Sequence, residues 1–330
     1  MLDLHRFSEN IRKWYRINKR DLPWRNTNDP FKIWLSEIIL QQTRVSQGLN
    51  YYLKFINRFE NVKDLAEASE DEILSMWQGL GYYSRGRNLR KAAIQVMQEY
   101  NGKFPTNSNE LKKLKGIGDY SSAAIASFSA NEKIAVVDGN VYRVLSRLFG
   151  IKTPIDTTNG RKEFSALANV LISEKKPAEH NQAIMEFGAK QCTPKNPSCD
   201  VCIFSNNCEA FSLDSVFELP KKIKKIKKTS RYFHFFLDVR NEHIILEKRS
   251  DKGIWANLYQ LPLIETDGAL EKSSKPIFEI KHILTHQNLY CSFYESTISS
   301  TKDRISVKIS SIQNYALPVV IDKFLKHYFN

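Results

Sequence analysis

The chain lacks the features that would carry it out of the cell or into a membrane. Its first residues, Met1-Leu2-Asp3-Leu4-His5-Arg6-Phe7-Ser8, contain no apolar signal core. No stretch elsewhere is long and apolar enough to cross a bilayer. These absences lead us to expect a cytoplasmic protein in a reducing compartment, where stable disulfides are uncommon. No internal repeat is present, which excludes repeat arrays. Cysteine is scarce, 5 in 330 residues, and four of the five crowd into one stretch.

Those four, Cys192, Cys199, Cys202 and Cys208, are spaced C-x6-C-x2-C-x5-C. Thiols this close in one loop can converge on a single metal centre. The first intervening segment, Thr193-Pro194-Lys195-Asn196-Pro197-Ser198, holds two prolines and cannot run as a helix or a strand. Three readings compete. Disulfides are disfavoured by the compartment. Structural zinc usually separates its C-x-x-C pairs by a longer insert. One close pair, with all four ligands in a compact loop, suits a 4Fe–4S cluster better. Cys291 stands alone and reads as a small buried apolar residue.

A formal net charge of +13 points to a polyanionic partner, nucleic acid or an acidic membrane surface, although basic proteins without such a partner exist. The length and the 42% hydrophobic content suit two domains with real cores. Helical apolar spacing recurs at 31–43, 64–78, 87–100, 108–115, 120–130 and 139–149, with no convincing strand pattern before residue 216. After Pro220 comes the cationic run Lys221 to Lys228, whose like charges favour an extended linker and also suit phosphate contact. Strands are predicted at 232–239, 243–247, 277–284, 289–294 and 305–309, and a helix at 318–328.

Three features bear on chemistry. Lys115-Gly116-Ile117-Gly118-Asp119-Tyr120 lies between two helical stretches, where Gly116 and Gly118 permit a tight hairpin. The N–H groups opening the second helix then suit a phosphate, read without sequence preference. Glu37 sits on the apolar helix Phe31 to Gln42, where lost hydration would raise its pKa and let it hold a proton. By itself a surface acid on an amphipathic helix is the commoner explanation. Asp138, after Ile134-Ala135-Val136-Val137, reads first as a helix N-cap. A carboxylate so fixed could also stabilise or attack a cationic sugar, the partner role to a protonated acid in glycoside chemistry.

The glycine hairpin, the segment Val136-Val137-Asp138-Gly139-Asn140-Val141 and the four-cysteine loop resemble the helix–hairpin–helix DNA glycosylases of the endonuclease III superfamily. Leu22-Pro23-Trp24, Trp34-Leu35-Ser36-Glu37, Leu40-Gln41-Gln42-Thr43 and Trp77-Gln78-Gly79-Leu80-Gly81-Tyr82-Tyr83 resemble the MutY-type adenine DNA glycosylases within it, and the likeness spans essentially the whole chain. It implies catalytic roles for Glu37, Tyr120, Asp138 and Asn140, and an adenine pocket including Trp24, Arg25 and Gln182. Gln42, Thr43, Leu80 and Tyr82 match contacts around the lesion on the opposite strand. Leu80 reads as a wedge into the base stack or as a plug of its own loop. Tyr120 occupies the position where strand-cutting relatives carry a nucleophilic lysine, and a phenol forms no Schiff base.

Gly253-Ile254-Trp255-Ala256-Asn257-Leu258-Tyr259-Gln260-Leu261-Pro262 resembles the Nudix-like lesion-recognition domain of that family. No cluster of glutamates follows it, so pyrophosphatase activity is not expected. Where the family often has Phe-Ser-His, this chain reads Leu284-Thr285-His286, keeping the hydroxyl and losing the ring. The resemblance thus implies an α+β multidomain protein. An all-α helix–hairpin–helix glycosylase domain with its iron–sulfur loop spans 1–215, a basic linker 216–230, and a smaller Nudix-like α/β domain 231–330. The implied partner is double-stranded DNA with adenine opposite 8-oxoguanine or guanine, bound by a monomer without a membrane. Two alternatives stand beside it: an endonuclease III-like glycosylase/lyase for oxidised pyrimidines, and a non-catalytic protein that marks damage.

Overall fold

The computed structural model describes residues 4–223, 227–268, 270, 275–296 and 304–329. Lys224, Lys225 and Ile226 of the cationic run lie outside the described residues. The first part of the chain is helical: α1 Leu4–Asn18, α2 Pro30–Leu40, α3 Val45–Arg58, α4 Val62–Glu67, α5 Glu70–Trp77 and α6 Ser84–Glu99. After these come α7 Ser108–Leu111, α8 Asp119–Ala130, α9 Gly139–Leu148, α10 Thr158–Leu171, α11 Pro177–Lys190 and α12 Glu209–Ser212. No described helix is long and apolar enough to cross a membrane. The helix expected over 31–43 stops at Leu40, because Gln42 turns to a positive φ of 55°. The one expected over 64–78 is two helices, since Ser69 breaks the run and caps α5 by accepting from Glu72 N. That over 108–115 is a single turn, α7. Helices α1, α3, α10 and α11 were not anticipated from apolar spacing.

Two compact units emerge, and they do not follow chain order. The first comprises Met1–Arg44, Phe59–Lys63 and Ala92–Lys224; the second comprises Val45–Arg58, Asp64–Lys91 and Lys225–Asn330. In the first, Phe7, Ile11 and Tyr15 of α1 meet Val141, Val144 and Leu145 of α9, Phe164 of α10, and Ile184 and Phe187 of α11. Phe204 from the cysteine loop closes this core, stacked on Phe7 with centroids 5.2 Å apart. Helix α2 is buried on nearly all sides and packs along α8. Small residues allow this, because Ser121 to Ser127 are buried with no side chain larger than Ile125. Gln41 Nε2 donates to Ser121 Oγ at 2.9 Å across the pair.

The second unit carries the strands β1 Thr229–Leu237, β2 Val239–Arg240, β3 His243–Lys248, β4 Tyr259–Gln260, β5 Leu263–Thr266, β6 Phe278–Ile283, β7 Gln287–Glu295 and β8 Arg304–Lys308, then α13 Val319–Phe329. One sheet has the order β5-β1-β7-β6, with β1 and β7 parallel; the other pairs β2-β3-β4, with β8 also on β3. Phe324 of α13 stacks on Phe293 of β7 at 4.1 Å. This β region is bonded to the helical segment of its own unit. Lys248 Nζ donates to Asp71 at 2.9 Å, Asn257 Nδ2 to Glu70 at 2.6 Å, and Arg87 Nη1 to the Ala256 carbonyl at 2.7 Å.

Gly188 sets how closely α11 lies on α9. A Cβ there would stand 2.7 Å from Asn140 Cβ and 2.9 Å from its carbonyl oxygen. Gly188→Ala is therefore expected to cost about 1–3 kcal/mol through forced separation of two packed helices. Urea unfolding measures it, and a variant as stable as the parent would show that the helices have room to spare.

Candidate active site

Glu37 reaches the interior because α2 carries it there. Asp29 accepts from Phe31 N at 2.9 Å and Pro30 opens the helix, which fixes the register. Ile33, Trp34, Leu35, Ile38 and Ile39 then take Glu37 in with them, leaving it 7% exposed. Burial pushes its carboxyl up to about 7; a hydrogen bond from the Tyr120 hydroxyl and the charge of Arg25 act against this rise, and Asp138 adds to it. An acid poised there is half protonated near neutrality.

Tyr120 arrives from the first turn of α8. The preceding Gly116 sits at φ 82°, a region that glycine enters freely, while Gly118 is extended and leaves the helix without a side-chain cap. Burial, and then the charges of Glu37 and Asp138, push the Tyr120 phenol well above its ordinary pKa, so it remains a protonated donor. Asp138 does cap α9. Its Oδ1 accepts from Asn140 N and Val141 N, each at 2.8 Å, and its Oδ2 accepts from Asn140 Nδ2 at 2.8 Å. Burial raises its pKa, opposed by those bonds and by Arg143. Three donors favour the ionised form. Two buried acids with different surroundings thus meet one tyrosine.

Arg25 donates through Nη2 to Glu186 Oε2 at 2.7 Å and stands over the Tyr15 ring at 5.6 Å. The Tyr15 hydroxyl donates to Gln182 Oε1 at 2.5 Å. Trp24, in the short turn Pro23–Arg25, is buried. The first unit therefore holds Trp24, Arg25, Glu37, Tyr120, Asp138, Asn140 and Gln182 together, along with Gln42, Thr43, Gly116 and Gly118. Leu80, Tyr82, Thr285 and His286 belong to the second unit. There the Tyr82 hydroxyl and Thr285 Oγ1 lie 2.5 Å apart. Thr285 and His286 are exposed at the turn joining β6 and β7, which is closed by Leu284 N donating to the Gln287 carbonyl at 2.8 Å. Leu80 is buried at 7% exposure.

None of the four cysteines of the loop is in a disulfide, and all line one apolar cavity with Val144, Leu148 and Phe187. Arg147 Nη1 donates to Cys192 Sγ and Phe204 N to Cys202 Sγ, both at 3.4 Å. Burial and the neighbouring cysteines push the Cys199, Cys202 and Cys208 thiols up, Cys202 to about 11. Thiolates here call for a compensating cation. The side chains of this loop that could hold a metal centre are therefore Cys192, Cys199, Cys202 and Cys208.

Several residues escaped the sequence reading. Arg143 donates to Asn140 Oδ1 at 2.8 Å, to the Gly188 carbonyl at 2.7 Å and to the Cys192 carbonyl at 2.7 Å. It sits one helical turn after Asn140, a spacing that could have exposed it. Glu186, Arg20 and Tyr15 carry no motif, although Glu186 stands one turn beyond Gln182 on α11.

The hairpin, the buried pair of acids and the four-thiol loop define a base-excision DNA repair protein of the helix–hairpin–helix class. The profile of the HhH-GPD superfamily base excision DNA repair proteins matches residues 35–169, and that of the NUDIX domain matches 234–327. A solved thermostable thymine-DNA glycosylase is similar, with a TM-score of 0.59 and 30% identity over 63% of this chain and 95% of that one. An endonuclease III seen in a DNA complex shares the fold, with a TM-score of 0.56 and 19% identity over 65% of this chain and 99% of that one. The adenine DNA glycosylase of Buchnera aphidicola (Schizaphis graminum) is 32% identical over 98% of this chain and 99% of its own length. The chain belongs to the adenine DNA glycosylase family, enzymes that hydrolyse an N-glycosidic bond in base-excision repair.

Because folding raises the Glu37 pKa from 4.5 to about 7, the native state holds its proton more tightly than the unfolded chain. Its contribution is complete below the unfolded value and fades as pH rises through the native one. Relative to the parent, Glu37→Gln should gain about 3 kcal/mol of stability between about pH 4 and pH 9. Urea unfolding across that range measures it; a constant difference would mean that Glu37 is not raised.

Proposed function

We propose that the chain removes adenine mispaired with 8-oxoguanine or guanine from double-stranded DNA, as a monomeric, monofunctional glycosylase. The observation that supports this most is that Glu37, poised near neutrality and bonded by Tyr120, lies within electrostatic reach of Asp138, which is held by three donors. Adenine inside a duplex is out of reach, so it is flipped into the pocket, at less cost when mispaired. Glu37 protonates the base at an imidazole nitrogen and so makes a neutral leaving group. The C–N bond breaks with its electron pair going to the base. Asp138, held by Asn140, stabilises the oxocarbenium ion or forms a sugar adduct, and water completes hydrolysis. Tyr120 supplies no amine, so the strand stays intact.

Trp24, Arg25 and Gln182 shape the adenine pocket in this reading. The uncapped first turn of α8 offers its N–H groups to a phosphate, with Lys115 beside it. Tyr82 and Thr285 meet the lesion in the opposite strand, flanked by His286, while Gln42 and Thr43 are DNA contacts of the first unit. The missing aromatic ring at Leu284 reduces stacking there. We infer that Cys192, Cys199, Cys202 and Cys208 hold a 4Fe–4S cluster. When bound it supplies a structural cation for the thiolates, and Arg147 holds its loop by donating to the Thr193 and Pro194 carbonyls.

Two measurements test these readings. Duplexes with adenine opposite 8-oxoguanine should be cleaved only after alkali, and duplexes with thymine glycol not at all. Spontaneous cleavage of the latter would favour a lyase, and no cleavage of either a damage-marking protein. Glu37→Gln should slow excision about 10²–10⁴-fold, the usual worth of a general acid. Separately, the purified protein should be brown and carry about four iron atoms per chain, lost in Cys199→Ser. A colourless zinc protein would overturn the cluster and leave the glycosylase reading standing.

A further inference from the structure

Glu186 is a buried carboxylate that the reaction does not use. Its side chain is wholly enclosed, yet it takes four hydrogen bonds. Oε1 accepts from Arg20 N at 3.0 Å and Arg20 Nε at 2.8 Å; Oε2 accepts from Arg20 Nη2 at 2.6 Å and Arg25 Nη2 at 2.7 Å. Arg25 Nη1 also donates to the Arg20 carbonyl at 3.1 Å, so the two arginines and the acid form one knot. The knot ties the chain after α1 and the turn Pro23–Arg25 to α11. Only one of its two cations is neutralised by a carboxylate within it, and Arg25 is the one whose charge reaches Glu37.

We propose that Glu186 is a positioning residue for the adenine pocket: it fixes the Arg25 guanidinium over Tyr15 and screens that cation from Glu37. This rests on Glu37 acting as the general acid. Burial alone would raise the Glu186 carboxyl, but the bonds from Arg20 and Arg25 outweigh it and hold it down to about 2, so it is a permanent anion at any working pH. The groups that face Glu37 are Tyr120 from α8, Asp138 at the cap of α9 and Arg25 from its turn. Tyr120 is neutral, which leaves Arg25 as the cation that, among the described residues, opposes the proton on Glu37. Facing Glu186 are Arg20 and Arg25, and its charge also reaches Tyr15, as does that of Glu179. Removing the negative charge of Glu186 leaves the Arg25 guanidinium, whose charge reaches Glu37, without its carboxylate partner. The Glu37 carboxylate is then favoured, and the proton it must donate is lost at a lower pH.

The test is the pH profile of single-turnover adenine excision. In the parent the rate should fall above about pH 7, as Glu37 loses its proton. In Glu186→Gln the basic limb should move acidward by about one unit, with the rate deficit shrinking as pH falls. A purely structural role would lower the rate equally at every pH. Glu186→Asp keeps the charge and shortens the reach, so its limb should stay while substrate affinity weakens; this variant also covers the case in which Glu186→Gln does not fold. In the double variant Glu186→Gln with Arg25→Gln, the limb should return toward the parent position or beyond it. If the parent excises adenine with a basic limb and neither Glu186→Gln nor the double variant moves it, Glu186 does not screen Glu37. A shift of the limb in Glu186→Asp as large as one unit would equally overturn the proposal. A parent without adenine excision would instead refute the functional reading beneath it.

Discussion

Carrying the Glu37 carboxyl out of water is the constraint on which the first unit depends. An uncompensated buried carboxylate costs several kcal/mol, and such a group usually responds by keeping its proton. The fold exploits that response. Helix α2 is apolar on nearly every face, so Glu37 cannot turn to solvent without exposing Trp34 or Ile38. The partner helix α8, built mainly of alanine and serine, bonds the acid through the Tyr120 hydroxyl, enough to orient it and too little to stabilise its anion fully. Asp138 has other surroundings: burial raises its carboxyl too, but the cap of α9 gives it three N–H donors that oppose the rise, and its charge raises Glu37 further. A helix N-terminus and a helix interior thus give two buried carboxyls different environments.

Helix α9 works as a ruler between that pair and the cysteine loop. Asp138 caps it, Asn140 fixes Asp138, Arg143 fixes Asn140, and Arg143 and Arg147 then grip the loop at Cys192, Thr193 and Pro194. Gly188 lets α11 lie close enough to accept from the same Arg143. The cysteine loop and Asp138 are thus joined by a continuous series of hydrogen bonds along α9.

Much of this was readable in the chain, and what was not has physical causes. The N-cap at Asp138 and the hairpin at Gly116 follow from local chemistry, which acts over a few residues and so survives in sequence. Glu37 was ambiguous for the opposite reason. An acid on an apolar helix is a surface residue or a buried one depending on what covers it, and α8 lies about eighty residues away. The two-strand breadth of apolar runs marked β1, β3, β6, β7 and β8, whereas α1 and α11 were hidden. Their polar faces carry Arg12 and Arg16 on α1 and Glu179 on α11, which pair between the two helices near the surface and blur the apolar period. Nor does any local pattern announce that 45–58 and 64–91 gather with the strands, because contacts such as Asp71 with Lys248 join single charges far apart in sequence.

The same electrostatics explains why position 120 is a tyrosine in this chain. A lysine there would place an ammonium against Glu37, and an adjacent cation stabilises the carboxylate by one or more pKa units. The acid would then stay ionised at neutral pH and could not protonate a purine. Conversely, two acids would hold the lysine charged, and a charged amine attacks no sugar. A neutral phenol avoids both conflicts: it can bridge Glu37 without fixing its charge, and burial beside two acids keeps it from ionising. In the proposed reaction the absence of lyase chemistry is then no separate design choice. It is the consequence of keeping one buried acid protonated.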